Sequence, residues 1–149
     1  MELKSTIAVL NDVLQTARDG EEGFRNAAAA ITDPHVKGMF ERFARQRGEM
    51  ARELESEIGK LGGAAGTSGS VSGSLHRGWM NLKGAIAGLD DKAIISEAER
   101  GEDVAKAAYA KALKEELSAG ARRLLEDQAA IVTVTHDEVR ALEKRASNP

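Results

Sequence analysis

Gly62-Gly63-Ala64-Ala65-Gly66-Thr67-Ser68-Gly69-Ser70-Val71-Ser72-Gly73 is the one real break in an otherwise helical pattern, and its reach decides how the rest of the chain is arranged. Small residues over 62–73 carry too little apolar bulk to pack a core, so the stretch reads as a flexible Gly/Ser-rich linker. Leu75, Trp79, Leu82 and Ile86 then recur at helical spacing and predict a short helix ending at Gly88. The extended linker can reach about 40 Å, and the short helix adds about 21 Å at roughly 1.5 Å per residue. Together they can run the whole length of a helical bundle.

On the N-terminal side of this break, Ile7, Leu10, Leu14, Ala17, Phe24, Ala28 and Ile31 form one stripe, which predicts a helix over Ser5–Ile31 with Glu21 in its seam. Asp33-Pro34 supplies an N-cap followed by proline at the first helical position. Val36, Phe40, Phe43, Met50, Leu54 and Leu61 continue a second helix from Pro34 to Gly62-Gly63. On the C-terminal side, Asp90 caps a long helix from Asp91 to about Leu117, with Ile95, Ala98, Ala105, Tyr109 and Ala112 inward and Glu102 in the seam. Ser118 opens the last helix, whose stripe is Leu125, Gln128, Val132, Thr135, Val139 and Leu142, with His136 at its margin. Two antiparallel pairs joined by a long crossover make an all-α, ferritin-like four-helix bundle containing a short extra helix, one domain over residues 1–149.

Composition agrees with packed helices. Of 149 residues, 42% are hydrophobic and only 3% aromatic, and the two prolines lie far from mid-chain, against the pattern of a sandwich or barrel. Twenty-one basic and 24 acidic residues are interleaved, so no basic stripe suits nucleic acid. With no cysteine, thiolate zinc sites, iron–sulfur clusters and cysteine nucleophiles are excluded, and any metal must use oxygen and imidazole ligands. No apolar run approaches a membrane span, which predicts a cytoplasmic protein. The segment 62–73 lacks the Gly-Lys-Ser/Thr ending of a phosphate loop, so no nucleotide is expected, and haem is not expected either.

In the crossover topology Glu21, Glu22, Gln46, Arg47, Glu99, Glu102 and His136 all fall in one band, roughly 12 to 20 Å from the end where the first helix turns into the second. A carboxylate in a seam must find a cation or a proton, because burying it unpaired costs several kcal/mol. Two arrangements satisfy it. In one, Glu21 pairs with Arg47 and Glu102 with His136 or another basic group, giving a structural ion-pair layer. In the other, carboxylates and His136 ligate a divalent transition metal, iron, manganese or zinc, as in di-iron bundles. The usual Glu-x-x-His pairs of that site are missing: Arg52 follows Glu49 by three places, and Thr133 precedes His136 by three.

Asp19-Gly20-Glu21-Glu22-Gly23-Phe24, Leu75-His76-Arg77-Gly78-Trp79, Glu99-Arg100-Gly101-Glu102-Asp103, and Gln128 with His136-Asp137 together resemble the small bacterial four-helix-bundle proteins of the ferritin-like superfamily catalogued as a domain of unknown function. The resemblance spans nearly the whole chain. It implies a ferritin-like bundle without an established activity, in a superfamily whose members store iron, reduce peroxide or oxidise substrates at di-iron centres. Residue by residue it implies Glu22, Glu99, Glu102 and His136 as the polar centre, whereas periodicity places Glu21 deeper than Glu22.

Smaller features have simple readings. Tyr109 and Gln128 on facing stripes predict a buried hydrogen-bonded pair, His35 an exposed first-turn residue, and His76-Arg77 a solvated pair beside Trp79. Mixed-charge outer positions such as Glu53, Glu57 and Lys60 permit an interaction or stress-related structural protein, with self-association into a homo-oligomer.

Overall fold

The computed structural model describes residues 2–66 and 88–147. They form α1 (Glu2–Ala30), α2 (Pro34–Lys60), α3 (Asp91–Ala112) and α4 (Ala119–Ser147), with no strand among the described residues. The expected short helix after residue 73 lies outside the described residues, as do His76, Arg77 and Trp79.

Local chemistry sets the helix ends. Asp33 accepts hydrogen bonds from the amides of His35 and Val36, so Pro34 starts α2 at a position where its missing N–H is not needed. At the other end Gly62 takes φ +83°, a conformation costly for side-chain-bearing residues. This lets Gly63 N–H donate to Ile58 O and Gly62 N–H to Gly59 O, the paired bonds of a Schellman motif.

Hydrogen bonds between helix ends fix the topology. Asp91, at the start of α3, accepts from the backbone amides of Thr32 and Asp33 and from the Thr32 hydroxyl. These bonds hold its carboxyl below the ordinary range although partial desolvation opposes them. The start of α3 therefore lies beside the start of α2. At the opposite end Asn11 of α1 donates to Ala64 O and accepts from Gly66 N–H, and the Ser118 amide donates to the Thr6 hydroxyl. Helices α2 and α3 thus run in the same direction, the ferritin-like arrangement, with Gly66 at one end of the bundle and Asp91 at the other.

Helix α1 begins at Glu2, three residues before the expected Ser5, and a larger difference lies at the end of α3. Helix α3 stops at Ala112 rather than near Leu117, and Leu113 follows as its C-cap. Arg122 of α4 reaches back to donate to Leu113 O and Glu115 O, satisfying carbonyls that another helical turn would have consumed.

The core is divided in two. Phe24, Ala27, Ile31, Phe40, Phe43, Ile94, Ala98, Val139 and Leu142 fill the end at the α1–α2 turn. Leu10, Leu14, Met50, Leu54, Ile58, Tyr109, Leu125 and Val132 fill the other. Each helix places a polar or small pair between these clusters, namely Gly20-Glu21, Arg47-Gly48, Gly101-Glu102 and Thr135-His136.

Candidate functional site

At the level between the clusters Arg47 is 1% exposed and Glu102 0%, the deepest charged pair of the bundle. Arg47 Nη2 donates to Glu102 Oε2 at 2.6 Å and to Thr135 Oγ1 at 2.8 Å, and Thr135 Oγ1 donates to the same carboxylate oxygen at 2.7 Å. Helices α2, α3 and α4 are thereby tied through one guanidinium. Helix α1 provides its bed. The Arg47 guanidinium lies 5.5 Å from the centroid of the Phe24 ring, and a Cβ at Gly20 would come 2.9 Å from Nη1. Phe24 itself packs edge-on against Phe43 at 5.3 Å, which holds the ring in place.

Glu21 does not pair with Arg47 as the ion-pair reading expected. Its carboxylate folds over Gly48, where a Cβ would lie 2.7 Å from Oε2, and it accepts from Arg25 Nη2 one turn along α1 at 2.7 Å. Arg47 instead passes over Gly20 and reaches across to α3, where Glu102 has the greater need of a cation. Glu22, favoured by the family resemblance, is exposed on the outside of α1, so periodicity identified the deeper acid correctly.

His136 is buried, with Nε2 2.6 Å from Asp103 Oδ1 and Nδ1 3.3 Å from Asp137 Oδ1. It meets neither Glu102 nor Arg47 through a hydrogen bond. Glu99 belongs to this same α3–α4 seam. Partial burial, the charges of Asp103 and Glu143, and a hydrogen bond with Glu143 push its carboxyl above the ordinary range, while His136 pulls the other way. Ser96 Oγ donates to Glu143 Oε2 at 2.8 Å. Glu99 and His136 therefore share one seam and Glu102 sits in another. Asp103 and Glu143 were not foreseen. Both are outward by helical phase, and only the α3–α4 crossing places them against His136 and Glu99.

About two helical turns further along the bundle, the Tyr109 hydroxyl donates to Gln128 Oε1 at 2.7 Å, as expected, and Gln128 Nε2 donates to Met50 O and Glu53 Oε1. Burial pushes the Tyr109 phenol far above its ordinary range, so it serves as a neutral donor.

The ferritin-like fold implies a metal ion held by inward carboxylates and histidines of the bundle. The residues at this level do not fit one. The carboxylate of Glu102 is already neutralised by a guanidinium, and His136 and Glu21 are turned to partners elsewhere. Among the described residues no group of three or more histidine, cysteine, aspartate or glutamate side chains is placed to hold a metal.

Known proteins agree on the fold. A DPS protein from Vibrio cholerae O1, described as a member of a broad superfamily of ferritin-like diiron-carboxylate proteins, superposes with a TM-score of 0.75 at 15% identity, covering 95% of this chain and 90% of that one. The bacterioferritin-related protein of Bacteroides fragilis, a dodecameric thioferritin, gives 0.67 at 18% identity over 97% of this chain and 83% of its own. A point mutant of Dps1 from Mycobacterium smegmatis gives 0.72 at 16% identity over 95% and 97%. No curated protein matches the sequence. The family model that does match, domain of unknown function DUF2383, covers residues 5–115, and the chain belongs to that family.

Proposed function

We propose that this protein is a non-catalytic, ferritin-like structural subunit that associates with copies of itself, with an ion-pair layer in place of a metal centre. The observation that carries the reading is the Arg47 guanidinium, 1% exposed and bonded to Glu102 between the two apolar clusters. A permanent positive charge there repels a divalent ion and satisfies the carboxylate that would have bound it. Self-association is supported by the dodecameric assembly named for the similar Bacteroides fragilis protein.

Metal analysis of protein purified without chelators tests the reading. The expected result is less than stoichiometric iron, manganese and zinc, with a melting curve unmoved when each ion is added well above the protein concentration. One equivalent of tightly bound metal, or a melting temperature that climbs with metal concentration, would overturn it. Such a result would return the function to the alternative metal set of Glu21, Glu22, Glu99, Glu102 and His136, and alanine at Glu102 or His136 would then abolish the response.

A further inference from the structure

We propose that Arg47 is a resident cation: its guanidinium does at the bundle centre the electrostatic work that a metal ion does in di-iron carboxylate bundles, and Gly20, Phe24, Glu102 and Thr135 form a cradle for it. The inference deepens the metal-free reading and rests on it. Observations from all four helices converge. Gly20 of α1 leaves the space into which Arg47 Nη1 projects, since a Cβ there would lie 2.9 Å away. Arg47 of α2 brings the charge. Glu102 of α3, 0% exposed, neutralises it at 2.6 Å, and Thr135 of α4 bonds both partners at 2.8 and 2.7 Å. Phe24, also from α1, puts the face of its ring beneath the cation.

The cradle suits a guanidinium better than an ammonium. A planar, weakly hydrated group can lie against the Phe24 ring and project one nitrogen toward Gly20 while the other bonds Glu102 and Thr135. A lysine ammonium would bring one compact, strongly hydrated charge and leave the space beside Gly20 unfilled. A metal ion would require several lone pairs directed at one point. Here a single oxygen, Glu102 Oε2, accepts both hydrogen bonds, and Glu102 Oε1 and Arg47 Nε make none. The geometry therefore serves one organic cation in one orientation, and it fixes the register of all four helices without cofactor.

A thermodynamic cycle on the full chain tests this. Arg47→Met keeps the volume and removes the charge, so its melting temperature should fall by about 10 °C or more, because Glu102 is left buried and uncompensated. Glu102→Gln in the same chain should recover at least half of that loss. Arg47→Lys should recover less than half of it. Gly20→Ala should lower the melting temperature of the wild type but not that of Arg47→Met, which it should leave unchanged or raise slightly through the helix preference of alanine, since the one tight contact it makes is with Arg47 Nη1. If Arg47→Met and the double variant melt together, or if Gly20→Ala costs the same in both backgrounds, the cradle is wrong. Should Arg47→Met fail to fold, the Arg47→Met/Glu102→Gln pair decides, because the proposal requires it to fold cooperatively. Stoichiometric metal in the wild type would overturn the metal-free reading while leaving this coupling measurable, so the two failures are distinguishable.

Discussion

Glycine at positions 20 and 48 does different work although both sit in helix interiors under a charged side chain. At Gly48 a Cβ would come 2.7 Å from Glu21 Oε2, but that oxygen is the far end of a flexible side chain that is 26% exposed. It can rotate toward solvent and keep its bond to Arg25. Alanine also favours the helix by roughly 0.5 to 1 kcal/mol over glycine. Gly48→Ala should therefore alter stability by no more than about 0.5 kcal/mol in chemical denaturation, in contrast to Gly20→Ala, which presses on a locked guanidinium. A loss above about 2 kcal/mol would mean that Glu21 is held in place by more than Arg25. Sequence periodicity could tell Glu21 from Glu22, because adjacent residues differ by a large angle around the helix. It could not tell which acid receives Arg47. That choice depends on the absence of a Cβ at Gly20 and Gly48, which matters only once two helices are pressed together.

Between elements, the α3–α4 seam brings like charges together. Glu99 is partly buried beside Asp103 and Glu143, and its carboxyl is held above its ordinary range in the folded state. A raised folded value means that the folded chain retains a proton the unfolded chain has lost. This contribution to stability is complete below the unfolded value and disappears as pH rises through the folded one. Glu99→Gln removes that dependence. It should melt with the wild type near pH 4 and become more stable by a few tenths to about 1 kcal/mol near pH 8, as expected for relieving like charges at a partly exposed site. The difference between the two melting curves reports Glu99 together with its coupling to Asp103, Glu143 and His136. A variant less stable than the wild type at pH 8 would show that the Glu99 carboxylate makes an attraction outweighing its two acidic neighbours. The helices themselves were legible from Asp33-Pro34, Gly62-Gly63 and the apolar stripes, since capping and periodicity are local. The end of α3 was not, because it is set by Arg122 reaching back from α4 and carries no glycine to announce it.

At the scale of the whole molecule, the long glycine-rich segment and the shared depth of the acids were enough to read the crossover, and Asp91 bonding to Thr32 and Asp33 bears it out. The division of the core was less visible, because Gly20, Gly48 and Gly101 look like ordinary interruptions in an apolar stripe. It raises the question of whether the molecule unfolds as one unit. All four helices pass through both clusters and the Arg47 level between them, so neither end can lose its packing without releasing the helices that form the other. Cooperativity should therefore survive the polar level. Ile94→Val in one cluster and Ile58→Val in the other remove one buried methylene each from fully buried side chains, and each should cost about 1 kcal/mol. Without shared contacts the double variant should cost about 2 kcal/mol, additive to within roughly 0.5 kcal/mol, in a single transition whose calorimetric and van't Hoff enthalpies agree. Two transitions, each moved by only one substitution, would show that the guanidinium level separates the bundle into halves that fold on their own.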